Sequence, residues 1–179
     1  TTSSASVVYG LKGTLSAQAN PGFIFSGWYV GEGISYEGST PTNLKSANEY
    51  IDTDAMGVQG LEYTALFTAV EYDVTIHNPA VGGTGKVGAT GTSTGKYYIV
   101  DANLNAQSVT LTATASEGYR FKGWYSESTY NTVVSTSNPY TFTMEANDID
   151  VYLAFETISY GLTVNISTKY GNNVTDSDD

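Results

Sequence analysis

Apolar and polar residues alternate along most of this chain. The alternation is clearest at residues 109–116, 140–145, 151–155 and 162–166, and in the first half at residues 15–19 and 63–67. Because successive side chains of a β-strand point to opposite faces, each run predicts a strand with one buried and one solvent-facing side. The polar positions are mostly threonine, which suits a pleated surface. Antiparallel sheets commonly expose one face to water, so the pattern predicts a mainly β fold with antiparallel pairing and little helix.

Turn-forming residues separate the predicted strands. Asn20-Pro21-Gly22 and Ser116-Glu117-Gly118 each join two alternating runs, which predicts tight connections between strands. The best candidate helix covers residues 42–51, where Ser46 and Glu49 have the spacing of a capping box.

One sequence pattern occurs twice in the chain. Residues 13–29 read GTLSAQANPGFIFSGWY and residues 109–125 read VTLTATASEGYRFKGWY, at a fixed offset of 96 residues. Further along, the Phe67 to Ile76 pattern recurs from Phe155 to Val164 at an offset of 88. The first copy therefore holds eight extra residues, which we expect in loops between Val30 and Leu61. A tandem repeat predicts an array of small domains that fold on one plan.

The repeat also predicts domain limits. We expect residues 1–70 to form a first repeat that lacks its opening strand, and residues 71–157 to form a complete second repeat. Residues 158–179 are then the opening strand of a third repeat, or a donor strand, followed by an acidic tail. The tail strand carries Leu162, Val164 and Ile166 on one face. Three explanations remain open for it: a window of a longer array, donation to the first repeat of another subunit, or closure onto the first repeat of its own chain.

The second copy resembles a known family. Its motifs are Gly118-Tyr119-x-Phe121-x-Gly123-Trp124-Tyr125, then Ser137-Asn138-Pro139-Tyr140-Thr141-Phe142-Thr143, then Val151-x-Leu153-Ala154-Phe155. They resemble the divergent B-repeat of the internalin B type and, more loosely, the Listeria–Bacteroides repeats. The resemblance implies small β-rich domains, β-grasp-like or sandwich-like, in tandem in bacterial surface or secreted proteins. It implies spacers, stalks and adhesive modules, and it supplies no catalytic residues. The first copy departs from the pattern where Asp52 aligns with Phe142.

A glycine–tryptophan motif occurs once in each copy. Its residues are Phe25, Gly27 and Trp28 in the first copy and Phe121, Gly123 and Trp124 in the second. The tryptophan follows the phenylalanine by three residues, so strict alternation would place the two on opposite faces. A one-residue bulge at the glycine restores the phase. Phe and Trp then share the core, where each buries a large apolar area. The alternative interpretation is an exposed tryptophan that stacks on a ligand.

The charge balance bears on partners. There are 18 acidic and 7 basic residues, for a formal net charge of −11, so nucleic acid and anionic membrane surfaces are poor partners. Only 14% of the residues are charged, and a surface built mainly from small polar residues and tyrosine suits an extracellular protein. Cysteine is absent, which excludes disulfides, thiol catalysis and cysteine-ligated zinc. No apolar run approaches the roughly 20 residues that span a bilayer.

Residues with catalytic or metal-binding chemistry are few. A Ser/His/Asp triad would need His77, the single histidine, which has no counterpart in the first copy. The Asp52-x-Asp54 pair resembles the start of a calcium loop but lacks the later ligands, so we interpret it as a solvated turn, with calcium binding as the alternative. The glycine-rich residues 82–95 lack the Gly-Lys-Ser/Thr of a phosphate loop. We therefore expect no catalytic site, no cofactor and no metal.

The sequence indicates a non-enzymatic, extracellular repeat segment that acts as a stalk, filament or surface-layer building block. Its expected partners are copies of itself or neighbouring repeats. The alternative is an adhesin-like or carbohydrate-binding module that grips a host or cell-surface glycan or protein through exposed tyrosines and the loop at residues 30–60. Tyr29, Tyr125 and the Tyr97-Tyr98 pair are the tyrosines expected to face outward. A third explanation is an accessory domain attached to an enzyme.

Overall fold

The computed structural model describes residues 6–31, 42–57, 60–89, 91–101 and 103–166. Within these ranges the protein is all-β and contains no helix, which confirms the predicted fold class. Five strands belong to the first repeat: β1 (Thr14–Ser16), β2 (Phe23–Val30), β3 (Leu44–Ser46), β4 (Tyr50–Asp52) and β5 (Tyr63–Ala69). They form a two-stranded sheet, β1-β4, and a three-stranded sheet in the order β3-β2-β5.

Eight strands belong to the second repeat. They are β6 (Tyr72–His77), β7 (Gly83–Val87), β8 (Thr94–Tyr97), β9 (Ser108–Ala115), β10 (Tyr119–Tyr125), β11 (Val133–Ser135), β12 (Tyr140–Thr143) and β13 (Ile149–Thr157). One sheet has five strands in the order β11-β10-β13-β6-β8, and the other has three in the order β12-β9-β7. All pairings are antiparallel except that of β6 with β13, which is parallel.

The first repeat is built on the plan of the second. Strand β2 pairs with β5 as β10 pairs with β13, and β1 pairs with β4 as β9 pairs with β12. The short strand β3 lies on the other side of β2, as β11 lies beside β10. Counterparts of β6, β7 and β8 are not found among the described residues of the first repeat.

Most of the extra length of the first repeat lies in one connection. Tyr29 pairs with Leu44 where Tyr125 pairs with Val133, so the segment between these two strands is seven residues longer in the first repeat. Residues 32–41 of this segment are outside the described part of the chain. The region predicted to hold a helix, residues 42–51, instead contains β3 and β4, so that prediction is wrong. The Ser46 hydroxyl accepts a hydrogen bond from the Asn48 amide at 3.0 Å, which closes a turn between the two strands.

The strand register corrects the alignment of Asp52 with Phe142. Leu15 pairs with Ile51, whereas its counterpart Leu111 pairs with Tyr140. Ile51 is therefore the counterpart of Tyr140, and buried Thr53 takes the place of Phe142. Asp52 lies between them on the solvent face, so Ile51 and Thr53 both face the core. The Thr53 hydroxyl accepts a hydrogen bond from the Gly13 amide at 2.9 Å and donates one to the Asp54 carbonyl, which satisfies this buried polar group.

A one-residue bulge brings tryptophan and phenylalanine to the same side in both repeats. The register of β2 with β5 shifts between Phe25 and Gly27, and that of β10 with β13 shifts between Phe121 and Gly123. The Phe–Trp ring centroids then lie 5.8 Å apart in the first repeat and 5.5 Å apart in the second. The interior tryptophans, Trp28 and Trp124, are 7% and 0% exposed.

Each tryptophan also joins the two sheets of its repeat. The indole Nε1 of Trp124 donates a hydrogen bond to the Ser137 carbonyl at 3.0 Å, just before β12. Trp28 donates in the same way to the Glu49 carbonyl at 3.3 Å, just before β4. The indole ring thus packs in the core while its polar group remains satisfied.

The largest hydrophobic core lies in the second repeat. Its ten buried members come from β6, β7, β9, β10 and β13 and from the segment after β12: Val74, Ile76, Val87, Val109, Leu111, Ala113, Trp124, Met144, Val151 and Leu153. These side chains come from both sheets, so the core is the layer between them.

Removal of the Trp124 ring should be strongly destabilising. Trp124→Ala leaves a cavity in a close-packed core and removes the bond to Ser137, so we expect the free energy of unfolding of the second repeat to fall by about 3–5 kcal/mol. Chemical denaturation followed by circular dichroism measures this loss. Leu104→Ala is the matched control because Leu104 is highly exposed. Equal, small effects of the two substitutions would contradict the core assignment.

The two bulge glycines should differ in their tolerance of alanine. Gly27 has φ +146°, a backbone conformation that residues with a Cβ rarely adopt. A Cβ added there would also lie 3.1 Å from the Ser46 carbonyl oxygen. Gly123 lies outside that region, and its Cβ would lie 3.3 Å from the Ser135 carbonyl oxygen. We expect Gly27→Ala to cost about 1–3 kcal/mol and Gly123→Ala to cost less.

Tryptophan fluorescence can measure each repeat separately during denaturation. With Trp124 replaced by phenylalanine, emission reports the first repeat, and with Trp28 replaced it reports the second. Equal losses of stability at the two glycines would contradict the backbone argument.

Candidate interaction site at the edge of the first repeat

The last strand of each repeat has different neighbours. In the second repeat, β13 lies between β10 and β6, and its register with β6 pairs Ile149 with Val74 and Val151 with Ile76. In the first repeat the counterpart strand, β5, pairs with β2 alone. The other edge of β5 has no strand beside it in the part of the chain that the structure describes. An open edge presents a row of backbone groups that a further strand can bind.

The backbone geometry identifies which residues form this open edge. The Gly31 amide donates to the Glu62 carbonyl at 3.1 Å, so the Glu62 backbone faces β2. Alternate residues of a strand direct their backbone groups to opposite edges, so those of Leu61 and Tyr63 face the open side. Strand β5 has seven residues and β13 has nine. The difference at the open edge is Leu61 and Glu62, the counterparts of the two β13 residues that β6 pairs with first.

The interior of the first repeat is correspondingly less covered. In the second repeat, β6 and β7 supply the buried side chains of Val74, Ile76 and Val87, which pack beside Leu111 and Leu153. The first-repeat counterparts of the last two, Leu15 and Ala65, are only half-buried. The apolar face beneath the open edge is thus partly accessible to solvent.

A polar cluster occupies one end of the β5 edge. The Lys45 Nζ lies 2.7 Å from the Asp54 Oδ1, and the Tyr63 hydroxyl contacts the other carboxylate oxygen at 3.1 Å. The hydrogen bond from Lys45, followed by that from Tyr63, lowers the pKa of Asp54, and the same bond to Asp54 raises the pKa of Lys45. The pair therefore stays ionised at neutral pH and links β3, the end of β4 and β5.

The second repeat lacks this cluster. The positions of Lys45, Asp54 and Tyr63 are occupied there by Val134, Thr143 and Val151, which line an open groove of about 370 Å³ with Phe142 and Ile149. Glu145, Asp148 and Asp150 also line the groove, so its lining combines apolar and acidic side chains. The two repeats thus share a scaffold but differ in surface chemistry at this position.

The segment after β13 exposes three apolar side chains, Leu162, Val164 and Ile166. Residues 158–166 form no strand, and residues 167–179, which include the acidic end of the chain, lie outside the described part. Leu162 is 89% and Val164 71% exposed, and Ile166 is also exposed. The Ile158 amide donates to the Gly118 carbonyl at 2.8 Å, as the Val70 amide does to the Gly22 carbonyl. The chain therefore makes the same backbone contact where it leaves the second repeat as where it leaves the first.

The tyrosines differ from their predicted placement. Tyr29 and Tyr125 are only 3% and 5% exposed, so the prediction that they face outward is wrong. Tyr125 is covered by the loop after β10, where the ring of Tyr130 packs edge-on against it at 5.4 Å. Tyr97 is half-buried and packs against the core, whereas Tyr98 is exposed. Of the candidate binding loop at residues 30–60, residues 32–41 and 58–59 are outside the described part.

Elsewhere in the described ranges, charged side chains form ion pairs: His77 with Asp150, Lys96 with Asp73 and Arg120 with Glu156. The His77 Nε2 lies 2.7 Å from the Asp150 Oδ1, and its ring stacks on Tyr152 at 4.3 Å. Asp52 and Asp54 join no metal-binding arrangement, because no group of three or more His, Cys, Asp or Glu residues in the described segments is placed to hold an ion. Over the same segments, no helix has the length and apolar character needed to cross a membrane.

The family model for the divergent InlB B-repeat domain matches residues 1–71 and again residues 74–159. The two matches cover most of the chain, so this protein belongs to the divergent InlB B-repeat family, and the family predicted from the Gly-Trp-Tyr motifs is confirmed. Such repeats are typical of bacterial surface proteins. Neither a curated protein nor a solved structure shows a significant match to the chain.

The open edge should lower the local stability of the first repeat. In native-state hydrogen exchange on the whole chain, we expect amides of β2 and β5 to exchange faster than their counterparts in β10 and β13, because fewer apolar groups cover them. The tryptophan amides form a matched pair, since each lies at the same place in the same bulge. Equal protection of the two repeats would contradict the assignment of an uncovered first repeat.

Proposed function

We propose that this chain is a non-enzymatic segment of an extracellular bacterial surface protein, in which consecutive repeats act as a spacer or stalk. The observation that carries the proposal is the tandem construction itself. Two domains of one plan follow each other, and the segment after the second opens with the pattern that opens the second. Repeating one domain lengthens a protein without adding a new type of domain to it.

The junction between the repeats favours a defined spacing. Strand β5 ends at Ala69 and β6 begins at Tyr72, so only Val70 and Glu71 connect them. The Val70 amide is bound to the Gly22 carbonyl of the turn before β2. The Ile99 side chain lies against that same turn, since a Cβ added at Gly22 would be 2.4 Å from its Cδ1. A short, pinned connector restricts the motion of one repeat relative to the next.

The distance between the repeats should therefore be narrowly distributed. The chain has no cysteine, so Tyr50→Cys and Glu117→Cys place one spin label at an exposed position of each repeat. We expect pulsed dipolar spectroscopy to give a narrow distance distribution. A variant with Gly-Ser-Gly-Ser inserted between Val70 and Glu71 is the control and should give a broader one. An equally broad distribution in both proteins would contradict a spacer of fixed length.

A second candidate function is binding of a glycan by exposed tyrosines, and one observation favours it. Tyr50 and Tyr98 are exposed aromatic side chains, and such groups provide rigid apolar area with one hydroxyl. A glycan array on the whole chain tests this function. Specific binding that is lost in Tyr50→Ala or Tyr98→Ala, with the fold intact, would replace the spacer proposal by an adhesive one.

A further inference from the structure

A bulge in a short strand of each repeat places one extra residue at the same surface position. In the second repeat, Val133 and Ser135 pair with consecutive residues of β10, so Val134 between them is the extra residue of β11. The same pattern on β3 makes Lys45 the extra residue in the first repeat. Bulges re-aim side chains and are frequent at functional positions. One backbone geometry therefore presents a lysine in the first repeat and a valine in the second.

The first repeat shows what this position accommodates. The Lys45 ammonium lies 2.7 Å from Asp54 Oδ1, and the Tyr63 hydroxyl contacts the other oxygen of the same carboxylate. The Lys45 side chain is only 33% exposed although it ends in a charge, so its aliphatic part is largely covered. The position thus takes an aliphatic chain that ends in a cation held by a carboxylate.

In the second repeat this position is the groove of about 370 Å³, and no basic residue lines it. The shorter Val134 replaces the lysine. The basic side chains of the adjacent strands, His77 and Lys96, are bound to Asp150 and Asp73 and lie outside the lining. The lining combines apolar side chains with three carboxylates: Val134, Tyr140, Phe142, Ile149 and Val151, with Glu145, Asp148 and Asp150.

Two of the three carboxylates are available to a cation. Asp150 is already paired, since its Oδ1 lies 2.7 Å from His77 Nε2. Glu145 and Asp148 form no ion pair with the residues that the structure describes. Asp148 accepts a hydrogen bond from the Asp73 amide at 2.8 Å, which orients the carboxylate without neutralising its charge. The groove therefore offers acidic groups without the lysine that answers them in the first repeat.

We propose that this groove binds a lysine or arginine side chain of another polypeptide. The aliphatic part of that side chain packs against Val134, Phe142 and Ile149, which line the groove. Its cationic group lies at Glu145 and Asp148. The incoming side chain thus takes the place that the bulge lysine takes in the first repeat.

The surroundings of the groove favour a basic, extended peptide segment as the carrier of this cation. Strands β11 and β12 are the outer strands of their sheets, so in the described ranges each has one edge without a partner strand. An extended segment can bind such an edge through its backbone while it inserts one side chain. The rings of Tyr140 and Phe142, 5.6 Å apart, add aromatic faces that attract a cation. The net charge of −11 attracts a basic segment from a distance.

Titration of the whole chain with the capped peptide acetyl-Thr-Val-Lys-Val-Thr-amide, followed by nuclear magnetic resonance, tests the site. We expect saturable shifts of the Val134, Glu145 and Asp148 amides with a Kd on the order of 1 mM, because one side chain in an open groove makes few contacts. The same peptide with acetylated lysine keeps the aliphatic chain but loses the charge, and it should bind at least roughly threefold more weakly. Equal binding of the two peptides, or no binding at about 10 mM, would overturn the proposal.

Two variants of equal net charge separate the groove from general electrostatic attraction. Glu145→Gln/Asp148→Asn removes two charges and keeps an acceptor oxygen at each position, so it should weaken binding at least roughly threefold. The matched control, Asp52→Asn/Glu117→Gln, removes two exposed carboxylates outside the groove and should bind like the native chain. Equal weakening by the two pairs would show that only the overall charge attracts the peptide and would overturn the proposal.

A third variant rebuilds the first-repeat pair in the second repeat. Val134→Lys/Thr143→Asp leaves the net charge unchanged and supplies an internal lysine, so we expect it to abolish peptide binding while the Trp124 emission stays native. Undiminished binding would place the contact on another surface and overturn the proposal.

A free amine tests whether a polypeptide is the partner. n-Butylamine carries the same cation on an aliphatic chain but has no peptide backbone, and we expect it to bind more weakly than the lysine peptide. Equal affinity would show that the groove recognises a cation alone and would overturn the assignment of a polypeptide. The proposal goes beyond the spacer function and does not rest on it, because the spin-label distances are measured without any peptide.

Discussion

The pairing of a buried tryptophan with a glycine bulge organises each repeat. Without the bulge, alternation would direct Trp124 away from Phe121 and from the core. With it, the indole fills the space between the two sheets and its Nε1 bonds the segment that leads into β12. One residue thus buries a large indole ring and also satisfies the single hydrogen-bond donor of that ring. The sheets of the first repeat are joined in the same way through Trp28 and Glu49.

The two repeats differ in how this layer is covered. In the second repeat β6 and β7 complete the core, whereas β5 and β1 of the first repeat each lack one neighbour in the described part of the chain. In the first repeat, the Lys45–Asp54–Tyr63 cluster joins the two sheets by polar contacts. The second repeat has Val134, Thr143 and Val151 at these positions. Exposed ion pairs contribute little to stability, so the cluster does not replace the missing apolar cover.

Much of the fold was predictable because side-chain alternation and the repeat are local properties of the sequence. The strands around Leu111 and Leu153 and the bulges at Gly27 and Gly123 follow from period and phase alone. Other features depend on tertiary pairing. Alternation in β6 does not reveal that its partner is the parallel β13. The Ser46-x-x-Glu49 spacing suggested a helix, but the chain turns at Asn48 because β4 pairs with β1.

The burial of Tyr125 was also beyond prediction, since its cover comes from a loop whose conformation the pattern does not specify. The repeat predicted that the first copy lacks an opening strand, but the residues that form the open edge of β5 follow only from the strand registers of the two repeats. The alignment of Asp52 with Phe142 failed for the same reason, because one residue of register decides which side chain faces inward.

An experimental structure of the chain tests the role of the tryptophan and the glycine bulge most directly. It should show Trp28 and Trp124 inside their repeats, with each indole Nε1 bound to the carbonyl of Glu49 or Ser137. A tryptophan that points to solvent, or a regular pairing of β2 with β5 or of β10 with β13 without the one-residue shift, would contradict this role.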